Sequence, residues 1–273
     1  MTRARLIPFK CLPGDENMAT DEYLLSYFER TKIPVLRLYG WETPAITLGR
    51  NQSSDPINLK LCRNDSVNII RRMTGGGAIF HFDEVTYSFV CPDRDAGGNT
   101  LSVPESYELI NSAIIELYRS LGLEAFYAKE TSPEKKEFSH FCFSGREEYD
   151  IIIKNRKVGG NAQRRIKKAV FQHGSIPLSF DSGIIIKYFR SRIDSRNFTT
   201  LNEILGREVH KQEVADAIIS SFEKMLKMKF FIEDIQKPEQ YAIDALMRNK
   251  YQSPSWNLEG RTDGIEIKAG MAQ

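Results

Sequence analysis

Long hydrophobic runs are absent from this 273-residue sequence, and so is a marked excess of charge of either sign. The longest apolar runs are far shorter than the roughly 20 residues that a membrane-spanning helix needs, and the N-terminal residues contain no apolar signal core. The chain has 38 Lys and Arg against 36 Asp and Glu, so it lacks the basic excess typical of nucleic-acid-binding proteins. We therefore expect no membrane contact and no nucleic acid partner.

Cysteine is also scarce, with four widely separated residues that form no CxxC pair: Cys11, Cys62, Cys91 and Cys142. This spacing predicts neither a zinc site nor a disulfide framework, and we expect no metal and no cofactor. A reducing, cytoplasmic compartment is the simplest expectation, because a cysteine can remain a free thiol there.

The hydrophobic periodicity predicts strands over most of the first two thirds of the chain, with helices interspersed rather than strictly alternating. This order predicts an α+β fold, in which helices pack on a mixed β-sheet. The predicted helices cover about 17–31, 104–121 and 211–227, and another begins near Pro238. The predicted strands are 35–39, 45–48, 67–73, 78–90 with a break at Asp83 and Glu84, 149–153, 157–163 and 170–178. We predict one domain over residues 1–256 and a loose tail over 257–273.

The most unusual segment runs from two arginines to a histidine, in the order Arg71, Arg72, Met73, Thr74, Gly75, Gly76, Gly77, Ala78, Ile79, Phe80, His81. Three glycines let backbone N–H groups approach a ligand, and the arginines could neutralise an anion such as phosphate. No Gly-Lys-Ser/Thr follows, which excludes a Walker loop, and a strand rather than a helix follows, which excludes a dinucleotide fingerprint. The alternative is a flexible turn, but its entropy cost favours a ligand-binding loop. His81 is a candidate base, although a histidine near a turn is more often structural.

A candidate nucleophile and its partner lie further along the chain. Cys142 stands between two phenylalanines, and Lys157 is followed by Val158, Gly159, Gly160, Asn161, Ala162 and Gln163. An ammonium beside Cys142 would favour the thiolate, and Lys157 could accept the thiol proton if burial lowers its own pKa. Alternatively, Cys142 is a small buried hydrophobic residue and Lys157 is solvated beside a turn. The residues alone leave both interpretations open.

Two further segments carry polar side chains that could serve a site. Gly174 permits close approach after His173, and Ser175 or its backbone N–H could bind an oxygen atom. A histidine that is hydrogen-bonded within a strand explains this segment equally well. The densest basic run consists of Arg164, Arg165, Lys167 and Lys168. Such a run is usually a solvated edge, and it could also dock an acidic carrier protein.

Together these segments resemble the lipoate/octanoate transfer family, which is related to the biotin protein ligases. The resemblance extends from about Asn17 to about Trp256 and comprises several motifs in the same order: NMATDE, RLYGW, LGRNQ, the acyl- and nucleotide-binding loop RRMTGGGAIFH, the lysine motif KVGGNAQRR, and QHGSI. It implies a biotin/lipoate protein ligase-like catalytic domain.

Within this family, Cys142 is similar in position to the cysteine of LipM-type octanoyltransferases, which precedes the lysine motif. Ligases typically carry Asn-Asp before the hairpin, whereas the pair here is Tyr149-Asp150, and Gly159 departs from the usual Ser or Ala. The resemblance implies an octanoyl thioester on Cys142 with assistance from Lys157. It also implies an octanoyl-acyl carrier protein as donor and a lipoyl-domain protein as acceptor, with the glycine-cleavage H protein as first candidate.

On this resemblance, Cys142 and Lys157 are expected to be catalytic. The residues expected to bind substrate are Arg71, Arg72, Thr74, Gly75, Gly76, Gly77, His81, Gly159, Gly160, Asn161, Ala162, His173, Gly174 and Ser175. One alternative is an ATP-dependent lipoate-protein ligase, in which Arg71, Arg72 and Lys157 contact an acyl-adenylate and Cys142 is a bystander. The other is a non-catalytic acyl- or cofactor-binding relative.

Overall fold

The computed structural model of the chain describes residues 2–131, 147–166, 168–190 and 195–261. Cys142, Lys167 and residues 262–273 therefore lie outside the described residues. Over the described ranges, no helix combines the length and the apolar character needed to cross a membrane.

The strands within these ranges are β1 (Thr2–Leu12), β2 (Val35–Trp41), β3 (Ala45–Leu48), β4 (Asn68–Arg71), β5 (Ile79–His81), β6 (Glu84–Pro92), β7 (Phe126–Tyr127), β8 (Ile151–Ile153), β9 (Arg156–Lys157), β10 (Gly160–Ile166), β11 (Ala169–Pro177) and β12 (Met228–Ile232). The α-helices there are α1 (Gly14–Thr31), α2 (Leu59–Asn64), α3 (Val103–Ser120), α4 (Ser182–Ile186), α5 (Leu201–Leu205), α6 (Lys211–Leu226), α7 (Lys237–Leu246) and α8 (Pro254–Glu259). A π-helical segment, Met247–Tyr251, continues α7.

The largest sheet among the described residues has six strands in the order β10-β11-β6-β2-β1-β12. Its pairs β1–β2 and β1–β12 are parallel, whereas β2–β6, β6–β11 and β11–β10 are antiparallel. Side chains alternate along each strand, so Leu36 and Phe89 pack towards α3 and α6, while Tyr39 and Phe171 pack towards α1. Helices thus cover both faces, which confirms the predicted α+β architecture.

The smaller sheets hold the loops that concern function. Strands β4, β3 and β5 form one sheet and carry the glycine loop, residues 74–77, between β4 and β5. Strands β7, β8 and β9 form another. Lys154 and Asn155, between the predicted strands 149–153 and 157–163, form the turn that joins β8 to β9, and both have positive φ, at 48° and 62°. That geometry is the one a two-residue hairpin turn requires.

Three sequence predictions need correction. The predicted strand 157–163 is two strands, because the chain turns at Gly159, where φ is +102°, and leaves β8 to pair with β11. The outer strands β1 and β12 were not predicted. The loose tail does not begin at residue 257, because Asn257 belongs to α8 and its Oδ1 accepts a hydrogen bond from the Arg71 backbone N–H. Residues 262–273 of that tail lie outside the described residues, and the single-domain boundary stays a prediction.

We expect Phe222→Ala to destabilise the fold by about 3–5 kcal/mol, because it removes a fully buried ring that packs against Tyr87 and Phe89. Urea denaturation followed by circular dichroism measures the change. The matched control is Met225→Ala in the same helix, where the side chain is 36% exposed and the expected change is below about 0.5 kcal/mol. Equal losses in the two variants would contradict the packing of α6 on the sheet.

Candidate active site

A cavity, here called the central cavity, lies where the glycine loop meets the main sheet and α1. It is lined by Met18, Tyr39, Trp41, Thr47, Arg72, Ile79, His81, Thr86, Gly160, Ala162, His173, Gly174 and Ser175. The structure thus brings several predicted substrate-binding residues around one space, namely Arg72, His81, Gly160, Ala162, His173, Gly174 and Ser175.

A buried ion pair between α1 and β2 supports one side of the central cavity. Asp21 Oδ1 lies 2.8 Å from Arg37 Nη1, and both side chains are 2% exposed. Ser88 and Tyr39 donate hydrogen bonds to the two carboxylate oxygens at 2.8 and 2.9 Å. Burial alone would raise the pKa of Asp21, but its hydrogen bond with His173 and the charge of Arg37 outweigh burial and lower that pKa. The carboxylate therefore remains charged next to the cavity wall.

His173 connects this carboxylate to the glycine loop. Its Nδ1 lies 3.3 Å from Asp21 Oδ2, and its Nε2 lies 2.7 Å from Thr74 Oγ1. Burial lowers the pKa of His173; the hydrogen bond with Asp21 opposes that shift, and the charge of Arg72 reinforces it. The imidazole is thus a neutral, doubly hydrogen-bonded group in the cavity wall at neutral pH.

His81 has a matching environment on β5. Its Nδ1 lies 2.8 Å from Glu84 Oε1, and its Nε2 lies 2.8 Å from Thr47 Oγ1. The ring stacks on Trp41 with centroids 3.9 Å apart, and Trp41 Nε1 donates to the same Glu84 oxygen at 3.1 Å. His81 therefore lines the cavity with both ring nitrogens engaged, which agrees with a structural histidine rather than a free base.

Arg72 fixes the conformation of the glycine loop by hydrogen bonds to its backbone. Its Nη2 donates to the carbonyl oxygens of Gly75 and Gly77 at 2.5 and 2.8 Å. Gly76 has a φ of +88°, and a Cβ on Gly49 would lie only 2.0 Å from the Gly76 carbonyl oxygen. The loop is therefore held tightly against the end of β3, while Gly75 and Gly76 are exposed.

Arg71 is not among the residues that line the central cavity. Its guanidinium donates to the carbonyl oxygens of Gly49, Arg50, Gln52, Trp256 and Leu258. Because successive side chains of a strand point to opposite faces, two consecutive arginines cannot both face the cavity. The structure thus gives Arg71 a scaffolding role, fastening α8 beside the glycine loop, in place of the predicted contact with substrate.

Lys157 lies just before the chain enters β10. Its Nζ is 2.7 Å from Asp150 Oδ2, and the two side chains are 3% and 8% exposed. A Cβ at Gly159 would lie 2.3 Å from the carbonyl oxygen of Ser175, so glycine is required for this close passage. Gly160, three residues after the lysine, already lines the central cavity. Lys157 is therefore buried and ion-paired, which contradicts the alternative of a solvated lysine.

Asn161 and Gly174 face each other in the register of β10 and β11. Asn161 Oδ1 accepts a hydrogen bond from the Tyr87 hydroxyl at 2.9 Å. A Cβ at Gly174 would lie 2.1 Å from that same Oδ1 and 2.6 Å from the Tyr87 ring. Gly174 thus leaves room for this hydrogen bond, as close approach in the sequence motif predicts.

The basic run on β10 divides between the two faces of the sheet. Arg165 donates to the carbonyl oxygens of Leu101 and Ser102 at 2.5 and 3.0 Å, next to the first turn of α3. Arg164 shares the face of Ala162, by strand alternation, and Lys168 lies in the turn before β11. The run is therefore not one continuous solvated edge, and docking of a carrier protein there stays a prediction.

The described cysteines differ in their capacity to form a thiolate. Burial raises the pKa of Cys62 to about 11 and the pKa of Cys91 to about 12. Both thiols are therefore protonated at neutral pH and poor nucleophiles. Cys11 is exposed, and Cys142 lies outside the described residues.

Sequence analysis did not single out several polar residues that support the site, among them Asp21, Arg37, Thr47, Glu84 and Asp150. A signal for Asp21 was present, because it falls between Met18 and Leu25 on the buried face of α1. A charged residue within the apolar stripe of a helix indicates a buried partner. Thr47 and Glu84 carry no comparable signal, because each belongs to a strand whose burial on both faces only the tertiary structure decides.

Comparison with solved structures identifies the class to which this fold belongs. A lipoate-protein ligase A bound with ATP superimposes with a TM-score of 0.80 at 22% identity, over 96% of this chain and 100% of the other. A bi-partite lipoate protein ligase from Thermoplasma acidophilum gives 0.78 at 20% identity, over 96% and 98% of the two chains. The fold is thus that of the lipoate protein ligases.

Residues 13–223 match the model of the lipoyl protein ligase A/B catalytic domain family, and the chain belongs to that family. Octanoyltransferase LipM of Anoxybacillus flavithermus is 32% identical, over 89% of this chain and 93% of the relative. Octanoyltransferase LipM of Exiguobacterium sibiricum is 35% identical, over 88% and 93% of the two chains. These findings confirm the family resemblance drawn from the sequence motifs.

The ion pair of Lys157 and Asp150 predicts strong non-additivity. Asp150→Ala should destabilise the protein by about 3–5 kcal/mol, because it removes the carboxylate that lies 2.7 Å from a buried ammonium. The double variant Lys157→Met with Asp150→Ala should lose less than the sum of the two single variants, since it removes both charges together. Urea denaturation of the single and double variants gives the coupling energy. Additive losses would show that the two side chains do not interact.

His173 predicts a pH dependence of stability. Because its folded-state pKa lies below the value of about 6.5 in unfolded chains, the unfolded state binds a proton first as the pH falls. The free energy of unfolding should therefore decrease below about pH 6.5, and His173→Gln should flatten that decrease. Urea denaturation at about pH 7.5 and about pH 5.5 tests this, with the exposed His210→Gln as control. An unchanged slope in His173→Gln would contradict it.

Proposed function

We propose that this chain is an octanoyltransferase, which moves an octanoyl group from the thioester of an acyl carrier protein to the ε-amine of a lysine on a lipoyl domain. Relatives named Octanoyltransferase LipM, which align over 88% and 89% of the chain, support this assignment. The structural observation that carries it is the juxtaposition of the buried Lys157 with the cavity wall that begins at Gly160.

The residues that line the central cavity suit an acyl chain, but its volume is only about 20 Å³, so its walls must separate before an octanoyl tail can enter. Apolar surface comes from Met18, Trp41, Ile79 and Ala162, and the glycines of β10 and β11 keep the wall flat. Each methylene of a bound chain that leaves water contributes about 0.8 kcal/mol, so the depth of the cavity sets a preference for chain length. We expect the acyl tail to enter this space while its carbonyl carbon stays near the glycine loop and Lys157.

The proposed first half-reaction loads the enzyme. The Cys142 thiolate attacks the carbonyl carbon of the octanoyl thioester, a new C–S bond forms, and the bond to the carrier's sulfur breaks. The leaving thiolate takes up the proton that Cys142 released. Cys142 is assigned by its resemblance to the cysteine of the family's octanoyltransferases, and Lys157 assists by favouring the thiolate form.

The proposed second half-reaction forms an amide. The neutral ε-amine of the acceptor lysine attacks the acyl carbon, and the C–S bond to Cys142 breaks. The nitrogen loses a proton as the thiol is regenerated. Exchange between thioesters is nearly isoenergetic and aminolysis of a thioester is downhill, so no nucleotide is consumed.

Both half-reactions pass through a tetrahedral oxyanion, which needs preorganised donors. The proposed donors are backbone N–H groups of the glycine loop and the ammonium of Lys157. The hydrogen bonds from Arg72 to Gly75 and Gly77 support this role, because they fix the loop before substrate arrives. Rigid donors of this kind stabilise developing charge without reorganisation during the reaction.

For partners, we propose an octanoyl-acyl carrier protein as donor and the glycine-cleavage H protein as the first acceptor to test. This pairing places the reaction in the cytoplasm. Acyl carrier proteins are acidic, so basic side chains near the cavity, such as Arg164 on the face of Ala162, would speed their encounter.

Intact-protein mass spectrometry tests the proposal. Mixed with octanoyl-acyl carrier protein and no ATP, the wild-type chain should gain one octanoyl mass that hydroxylamine removes. Cys142→Ala should gain none and should fail to octanoylate the H protein. Cys11→Ala is the matched control, because it removes an exposed thiol yet should load normally.

The same experiment separates the rival functions. Full transfer by Cys142→Ala with ATP and free lipoate would identify a ligase and overturn the covalent mechanism. Acyl binding by the wild-type chain with neither adduct nor transfer would identify a non-catalytic acyl-binding protein.

A further inference from the structure

Arg72 lies between the two histidines of the central cavity and reaches each of them through a threonine. Its Nε lies 3.1 Å from Thr74 Oγ1, and its Nη1 lies 3.3 Å from Thr47 Oγ1. Thr74 Oγ1 is 2.7 Å from His173 Nε2, and Thr47 Oγ1 is 2.8 Å from His81 Nε2. The cavity wall therefore contains two chains of hydrogen bonds that start at one guanidinium, here called relays. One runs from Arg72 through Thr74 to His173, and the other from Arg72 through Thr47 to His81.

The direction of every hydrogen bond in these relays follows from the guanidinium. An arginine can only donate, so each threonine oxygen must accept from Arg72. Within the described residues, Thr74 Oγ1 is bonded to Arg72 and His173, so its buried hydroxyl hydrogen can go only to His173 Nε2, which is then the acceptor. The same reasoning makes His81 Nε2 the acceptor for Thr47. Both imidazoles consequently carry their single proton on Nδ1.

The far ends of the relays are consistent with this assignment. His173 Nδ1 lies 3.3 Å from Asp21 Oδ2, and His81 Nδ1 lies 2.8 Å from Glu84 Oε1. A carboxylate can only accept, so it takes the N–H of each ring. Every proton in the two relays therefore has an acceptor, and the arrangement is self-consistent from Arg72 to both acids.

We propose that Arg72 is a positioning residue that acts through Thr47 and Thr74 to hold His81 and His173 as neutral imidazoles with the proton on Nδ1. The central cavity then presents neither an imidazolium charge nor an unpaired ring N–H to an apolar acyl chain. This inference rests on the proposed function only for the nature of the ligand. The tautomers themselves follow from the hydrogen-bond geometry.

The relays oppose protonation of the rings. A proton on His173 Nε2 would turn that nitrogen into a donor, and the Thr74 hydroxyl hydrogen would lose its buried acceptor. Burial lowers the pKa of His173, Asp21 opposes that shift by favouring the imidazolium, and the charge of Arg72 disfavours the imidazolium. Arg37 sits behind Asp21 and neutralises part of the carboxylate charge.

The groups that face His81 surround the ring on three sides. Glu84 Oε1 lies on the Nδ1 side, and Arg72 lies on the Nε2 side behind Thr47. Trp41 covers one ring face at 3.9 Å, and Thr86 donates to the same Glu84 oxygen at 2.6 Å. Trp41, Thr86 and His81 therefore share one carboxylate oxygen as acceptor.

Nitrogen-15 NMR of histidine-labelled protein reads the tautomers directly. The chain has four histidines, and spectra of His81→Gln and His173→Gln assign the two that matter. We expect both to show a protonated Nδ1 and an unprotonated Nε2 at neutral pH. The measurement uses the full chain without donor or acceptor, so it is independent of whether octanoyl transfer occurs. An imidazolium or an Nε2–H tautomer at either position would overturn the proposal.

Paired threonine variants test the relays one at a time. Thr74→Val removes the donor to His173 Nε2 and should raise the titration midpoint of His173 by about one pH unit, as one neutral hydrogen bond implies. The nitrogen-15 shifts of His81 should stay unchanged and serve as the internal control, and Thr47→Val should change the shift of His81 Nε2 but not those of His173. Thr74→Ser and Thr47→Ser keep the hydroxyl and should retain the wild-type spectra. No change at His173 in Thr74→Val would refute the relay.

Arg72 itself is tested by Arg72→Met, which should raise the midpoint of His173 and change the nitrogen-15 shifts of Nε2 in both rings. If that variant does not fold, the threonine pairs still decide the proposal. Octanoyl loading provides the functional readout: in Thr74→Val, the acidic limb of its pH profile should move upward with the midpoint of His173. Normal tautomers with no loading at any pH would instead leave the relays intact and refute octanoyl transfer.

Discussion

The buried ion pair of Asp21 and Arg37 is the interaction on which the site depends. Charges this deeply buried are tolerated only when the remaining lone pairs and protons are also bonded. Asp21 meets that condition by accepting from Ser88, Tyr39 and His173 as well as Arg37. One carboxylate thereby ties α1 to β2, β6 and β11, and the central cavity lies where these elements meet.

The two consecutive arginines before the glycine loop have different roles, because adjacent side chains of a strand point to opposite faces. Arg72 faces the cavity, bonds the loop carbonyls and contacts Thr47 and Thr74. Arg71 faces the other way and binds carbonyl oxygens from the end of β3 and from α8. Both guanidiniums therefore organise backbone around the glycine loop. Arg72 holds the conformation of the glycine loop through Gly75 and Gly77, and Arg71 fastens α8 beside the loop.

Much of the fold was predictable, because amphipathic periodicity reports burial on a local scale. The helices α1, α3 and α6 and the hairpin at Lys154 and Asn155 follow from it. The outer strands β1 and β12 were missed, because they pair in parallel with distant segments and lack a turn signal. The glycine loop, His81 and His173 were found as motifs. Thr47 and Glu84 were missed, because single polar residues in strands look solvated. Asp21 was missed although its place on the buried face of α1 gave a signal.

The sequence by itself determined the alternation of elements, the glycine-rich bend and the order of motifs that marks the family. These are local properties, set by side-chain period and by the backbone freedom of glycine. The tertiary structure alone decided which arginine enters the cavity, that Lys157 is buried against Asp150, and that two Thr–His–acid relays converge on Arg72. Those outcomes depend on which side chains share a face after strands pair. Pairing between distant strands is fixed by packing of the whole chain, which no short stretch of sequence encodes.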